Sequence, residues 1–113
     1  MNDYNKKLEK FLIPLIKDLE KPKIFEMGVR RGISTKKIIE ICDQKDGKLY
    51  SVDVDDCSKI SSSKNWKFIH ARDDEFEKIK NIVPKNLDLI FLDTIHEAHH
   101  VEKIFYMYFS FLK

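Results

Sequence analysis

The run Glu26-Met27-Gly28-Val29-Arg30-Arg31-Gly32-Ile33-Ser34-Thr35 sets an acid two residues before a glycine and a second glycine four residues beyond the first. Gly28 permits a tight turn and a close approach of the backbone, and Gly32 lets a helix start against the preceding strand. The N–H groups at such a helix start can receive an anionic group such as a carboxylate. The same residues also read as a strand-to-helix turn that uses glycine for geometry alone. Asp53 closes the next apolar run, with Asp55 and Asp56 behind it. An acid at that place can accept two hydrogen bonds from a ribose diol, or belong to a solvated acidic turn. One helix fits between the glycine turn and Asp53, so each signal supports the other. Asp73, Asp74 and Glu75 follow a third apolar run; one of them can accept a bond from an adenine amino group, or Asp73 or Asp74 can cap a helix. Asp93 and His96 follow a fourth run, Leu87–Leu92. There a histidine suits a general base and Asp93 a metal ligand or hydrogen-bond partner, although His96 also reads as an ordinary helix-start residue.

The same stretch, His96-Glu97-Ala98-His99-His100, matches the zinc-protease pattern H-E-x-x-H literally. That chemistry needs both histidines on one face of an established helix and a third protein ligand. His96 falls at the very start of the predicted helix. Among the residues that follow, Glu102 is the only acid, and none is His or Cys. No zinc is therefore expected, and His99 and His100 are expected on the surface.

The elements that must position these residues are legible as alternating patterns. Leu8, Phe11, Leu12, Leu15 and Leu19 recur at helical spacing, which predicts an amphipathic helix over 4–20, with a kink at Pro14 and an end at Lys21-Pro22. Strands are predicted at Lys23–Met27, Leu49–Val54, Trp66–His70 and Leu87–Leu92. Helices are predicted from a Ser34 or Thr35 cap to about Asp43, over Asp74–Ile82, and from about His96 to the end. Ser58–Asn65 reads as a loop with a weak helical turn. Near-continuous apolar strands separated by helices mark an α/β, Rossmann-like parallel sheet covered on both faces. Right-handed crossovers then bring residues 26–35, 53–57, 71–75 and 93–97 to one sheet edge, beyond the carboxyl ends of the strands, where ligands of such sheets bind.

With 113 residues, one domain is expected, a helix over 1–21 followed by a core over 22–113. The formal charge of +2 comes with no long basic run, so neither nucleic acid nor an acidic membrane is expected as a partner. Cys42 and Cys57 are too few for a disulfide framework. A reducing, cytoplasmic location is expected, with no membrane span and no signal peptide at the start.

Taken together, these motifs resemble the class I S-adenosylmethionine-dependent methyltransferases. Within that class they resemble the branch that includes macrolide sugar O-methyltransferases and cephalosporin-hydroxylase-like proteins. Its first motif, an acid and then Gly-Val-x-x-Gly-x-Ser, stands here as Glu26 with Gly28-Val29-Arg30-Arg31-Gly32-Ile33-Ser34. Arg30 replaces the middle glycine of the commoner motif, as that branch does. Asp-x-x-His after an apolar fourth strand stands as Asp93-Thr94-Ile95-His96.

The resemblance covers residues 22–104. It implies strand order 3-2-1-4, four strands of a seven-stranded fold, and S-adenosylmethionine as cofactor. It implies that Glu26, Gly28, Val29, Arg30, Gly32 and Ser34 bind the cofactor, with Gly28 and Gly32 at its methionine end, that Asp53 holds the ribose, and that the loop with Asp73 lies near adenine. It further implies that Asp93 lines the site and binds magnesium in metal-dependent members, and that His96 deprotonates a small-molecule or sugar hydroxyl as methyl acceptor. Two other readings stay open. One is a non-catalytic or partner-dependent cofactor-binding remnant. The other is a dinucleotide-binding Rossmann domain, whose Gly-x-Gly-x-x-Gly is interrupted by Arg30.

The carboxyl end carries one more expectation. Val101, Ile104, Phe105, Tyr108 and Leu112 form an apolar stripe at helical spacing, widened by Tyr106, Met107, Phe109 and Phe111. That stripe and the free edge of residues 87–93 predict a homo-oligomer or a partner chain.

Overall fold

The computed structural model describes residues 8–92 and 98–113. Four strands, β1 (Lys23–Met27), β2 (Lys48–Asp53), β3 (Trp66–His70) and β4 (Leu89–Leu92), form one parallel sheet in the order β3-β2-β1-β4. Ile24 pairs with Leu49 on one side and Leu89 on the other; Met27 pairs with Val52 and Leu92. β3 joins β2 through Leu49 to Trp66 and Asp53 to His70. This is the α/β Rossmann-like sheet expected, and all the carboxyl ends point to one edge.

Side chains alternate along each strand, as pleating requires. Ile24, Leu49, Trp66, Phe68, Leu89 and Phe91 pack on one face against α1 (Ile13–Lys17) and α2 (Ile33–Lys45). Phe25, Met27, Val52, Ile69, Ile90 and Leu92 pack on the other, under α3 (Phe76–Ile79) and α4 (Ala98–Tyr108). The result is three layers with the sheet in the middle. No helix among the described residues is long and apolar enough to cross a membrane.

Three helices differ from the sequence expectation. The first is a π-helical turn at Leu8–Leu12 that passes into α1. The wider turn shifts the phase of the apolar stripe. Ile13 and Ile16 are buried, whereas Phe11 and Leu15 are exposed. Pro14 stands where the π-helical turn passes into α1, in the first turn of the α-helical segment, so the expected irregularity at this proline takes the form of a change of helix type. α2 begins at Gly32 with no side-chain cap; Ser34 and Thr35 are buried beneath the turn instead. α3 is one turn long and ends well short of Ile82, and neither Asp73 nor Asp74 caps it.

At the carboxyl end the apolar stripe splits. Ile104, Tyr108 and Phe111 are buried, while Val101, Phe105 and Leu112 face outward. The edge at the start of β4 is not open along its whole length. Leu112 pairs with Leu87 as a parallel bridge, Leu87 N–H donates to the Phe111 carbonyl at 2.9 Å, and Lys113 N–H to the Leu87 carbonyl at 3.0 Å.

Candidate functional site

The residues after β1, β2 and β3 meet at the sheet edge around a cleft of about 240 Å³. It is lined by Gly28, Val52–Val54, Ala71–Asp74 and His100. Three backbone positions shape its first wall. Gly28 has φ 101°, Arg30 φ 56° and Gly32 φ 81°, so the turn runs repeatedly through left-handed conformations. Successive amides in such a turn converge on a concavity that suits an anion.

The anion held there is the chain's own. Asp53 Oδ2 accepts bonds from Val29 N–H at 2.7 Å and Arg30 N–H at 3.1 Å, and Oδ1 accepts one from Asp55 N–H at 2.9 Å. Gly28 N–H donates to the Val52 carbonyl and Gly32 N–H to the Val29 carbonyl. These four amides of the turn are therefore engaged within the chain, and the helix-start N–H groups expected to receive an anion are the ones that follow Gly32. Burial raises the Asp53 pKa, but backbone bonds from Asp55, Val29, Arg30 and Val54 outweigh it and hold the carboxyl below its ordinary value. An ionised carboxylate accepts about four bonds, and four backbone N–H groups already address Asp53, so a ligand hydroxyl reaching this half-buried group would share or displace one of them.

Glu26 lies one layer deeper. It is fully buried on the α2 face of β1. Oε1 accepts bonds from the Thr35 hydroxyl at 2.7 Å and the Ser51 hydroxyl at 2.8 Å, and Oε2 one from the Ser34 hydroxyl at 2.8 Å. The Trp66 indole N–H donates to Ser51 Oγ at 2.9 Å. Glu26 and Ser34 therefore bind the turn and α2 to the sheet from below, and neither side chain faces the cleft.

Asp73 stands on the opposite wall. His100 Nε2 lies 3.1 and 3.3 Å from its two carboxylate oxygens, and the Tyr108 hydroxyl donates to its carbonyl at 2.8 Å. Asp74 is held by Arg72 at 2.9 Å and Lys103 at 3.1 Å. Three side chains of α4 thus fasten the loop 71–75. His100, expected on the surface, is instead a half-buried part of the cleft wall. Val54 is 61% exposed beside Asp53, an apolar residue offered to the cleft.

Sequence reasoning brought Val54 and Arg72 to this edge within 53–57 and 71–75 without singling them out, and missed His100 and Tyr108. Only Val54 left a local trace, as the one apolar residue in an acidic turn. Asp93 and His96, candidates for metal and base, lie outside the described residues, as does the first histidine of the zinc-like pattern. Among the described residues, no three His, Cys, Asp or Glu side chains converge to hold a metal. Cys57 is no nucleophile at neutral pH, because burial, followed by the charges of Asp53, Asp55 and Asp56, pushes its thiol up to about 11.

Gly32 is the position least tolerant of change. Its φ of 81° disfavours any side chain, and a Cβ there would meet Ile60 Cδ1 at 2.8 Å. We expect Gly32→Ala to cost about 1–3 kcal/mol and to lower the melting temperature by about 5–10 °C. An unchanged circular-dichroism melt would refute this account of the turn.

No protein-family model and no curated protein matches the chain. Among solved structures, it is similar to a SAM-dependent methyltransferase from Archaeoglobus fulgidus, with a TM-score of 0.64 and 17% sequence identity. The similarity covers 97% of this chain and 47% of that one, so the chain spans about half the length of its structural relative. At that identity the likeness establishes the fold: a Rossmann-like parallel sheet in the order 3-2-1-4, shared with a SAM-dependent methyltransferase.

Proposed function

We propose that this chain is the S-adenosylmethionine-binding part of a methyltransferase. The observation that carries the reading is the half-buried, ionised Asp53 at the carboxyl end of β2, facing a cleft whose other walls are the Gly28 turn and the loop with Asp73. A volume of about 240 Å³ is smaller than the ~300–1,000 Å³ of sites that enclose a whole drug-sized ligand, so it suits the nucleoside end. Asp53 would hold the ribose, Val54 and Ala71 would flank the adenine ring, and Asp73 would accept from its amino group. The methionine end fits less well, since the amides of Val29 and Arg30 are engaged by Asp53.

Bound there, S-adenosylmethionine would supply an electrophilic methyl group on a sulfonium sulfur. We assign the proton from an acceptor hydroxyl to His96, and the acceptor class, a small-molecule or sugar hydroxyl, to the branch that the Glu26–Ser34 and Asp93–His96 motifs resemble. The main contribution of the chain would be positioning.

Titration calorimetry tests the reading. S-adenosylhomocysteine should bind at least tenfold more tightly than NAD, a difference of about 1.4 kcal/mol. Equal affinities, or no binding of S-adenosylhomocysteine, would overturn it. A methyl-transfer assay on the same sample separates turnover from binding alone.

A further inference from the structure

His100 is the residue that α4 contributes to the cleft wall. Its Nε2 lies 3.1 and 3.3 Å from the two oxygens of Asp73. Facing an ionised carboxylate, which only accepts, that nitrogen carries the hydrogen. One N–H shared between both oxygens sets the direction of the carboxyl group as well as its place. The pair is well covered, with side chains 14% exposed at Asp73 and 25% at His100, so little water competes for the bond.

We propose that His100 is a positioning residue that aims the Asp73 carboxylate at the 6-position of a purine, and so makes the cleft select a 6-amino base over a 6-oxo base. The inference rests on the cleft holding the nucleoside end of the cofactor. A carboxylate by itself does not make this choice. It accepts from the exocyclic amino group of adenine, and it accepts as well from the N1–H of a 6-oxo purine, the neighbouring position on the same ring edge. A carboxylate that can swing toward N1–H accommodates the 6-oxo base. One held opposite the 6-position meets a carbonyl oxygen there, acceptor against acceptor. Selectivity therefore depends on what holds the carboxylate, and the group that holds it is His100.

The bond adds aim rather than mere fastening, because the main chain of 71–75 is held by other groups. The Tyr108 hydroxyl donates to the Asp73 carbonyl at 2.8 Å, Lys103 reaches Asp74 at 3.1 Å, and Arg72 N–H donates to Glu75 Oε2 at 2.6 Å. Burial, followed by the charges of Asp73 and Asp74, raises the Tyr108 pKa, so that hydroxyl stays a donor. His100, Ile104 and Tyr108 recur every four residues along one stripe of α4. The two polar members of the stripe hold Asp73 separately, Tyr108 by its main chain and His100 by its side chain. The kinds of donor differ too. Lys103 offers Asp74 a rotatable ammonium on a flexible stem, whereas the imidazole of His100 offers one N–H in the plane of a rigid ring.

Titration calorimetry on the full chain, with S-adenosylhomocysteine and its 6-oxo analogue S-inosylhomocysteine, reads the preference directly. We expect wild type to favour the 6-amino ligand by about thirtyfold, and His100→Ala to reduce that ratio below about threefold. His100→Gln sets an amide N–H close to the place of Nε2 and should restore a preference of about tenfold or more. His100→Leu fills the space without a donor, should behave as the Ala variant does, and serves if that variant fails to fold. A residue that only stabilised the loop would, on removal, weaken both ligands together and leave the ratio unchanged. A ratio in the folded Ala or Leu variant within about twofold of wild type therefore overturns the proposal while S-adenosylhomocysteine binding stands. So does a wild-type chain that binds the two ligands equally. A wild-type chain that binds neither overturns the cofactor site itself, and the role of His100 with it.

Discussion

We expect Glu26→Ala to lower the melting temperature by about 10–20 °C, a loss of about 3–5 kcal/mol. The size follows from what surrounds the carboxylate. Glu26 is 0% exposed, and its two oxygens collect the hydroxyls of Ser34, Thr35 and Ser51, each buried as well. Through Ser51 the network reaches the Trp66 indole. Alanine would remove every acceptor and leave three hydroxyls in an apolar pocket, where an unsatisfied polar group costs about 1–3 kcal/mol. It would also leave a cavity the size of the lost side chain. Glu26→Gln keeps the volume and one carbonyl acceptor, and the hydroxyls can rotate toward the new amide, so its loss should be nearer 1–2 kcal/mol. The pair of variants separates two roles. If Glu26 fastens the turn from below, stability falls in the order wild type, Gln, Ala, while S-adenosylhomocysteine affinity of the folded Gln variant stays within about threefold. A Gln variant that melts like wild type but binds tenfold more weakly would instead show Glu26 reaching the ligand.

The sheet was readable because its signals are local. The bounds of β1 and β3 were recoverable residue for residue, since each is a short apolar run closed by glycine, proline or polar neighbours. Their common edge followed from the handedness of the crossovers, and with it the meeting of the Gly28 turn, Asp53 and Asp73. What escaped depends on contacts that leave no mark in sequence. The π-helical turn at Leu8–Leu12 moved the buried positions to Ile13 and Ile16, and a periodicity argument assumes 3.6 residues per turn throughout. Ser34 and Thr35 have the residue types of helix caps, yet a buried carboxylate eight and nine residues earlier claims both hydroxyls. His100 sits 27 residues from Asp73, and nothing in a run of two histidines says which one turns inward. The acid at the end of β2 was correctly located, but its engagement by the amides of Val29 and Arg30 required the left-handed backbone at Gly28, Arg30 and Gly32 to be visible.

That engagement makes Asp53 the position at which stability and ligand binding should change together. In Asp53→Asn the side-chain carbonyl can turn toward Val29 and Arg30 N–H, but the amide NH₂ then faces Asp55 N–H, donor against donor. Bonds from N–H groups to a charged acceptor are worth about 1.5–3 kcal/mol, and exchanging one for a repulsive contact should cost about 1–3 kcal/mol. The pH dependence has a definite sign. The folded pKa of Asp53 lies below the ordinary value, so its contribution is fully present above the unfolded pKa of about 3.9 and is lost as pH falls through the folded value. The gap in stability between wild type and Asp53→Asn should therefore be constant at neutral pH and close in the acid range below about pH 4. A gap that persists there would mean the carboxylate charge is not what holds the turn. For the ligand, we expect S-adenosylhomocysteine to bind the folded Asn variant about ten- to a hundredfold more weakly. Loss of the turn could produce part of that, so the ribose contact is isolated with a 2′,3′-dideoxy analogue. Wild type should prefer the natural ligand over the analogue by about tenfold, and Asp53→Asn should show little preference, the signature of two groups that interact directly. An equal preference in both proteins would place the ribose elsewhere and leave Asp53 with the turn alone.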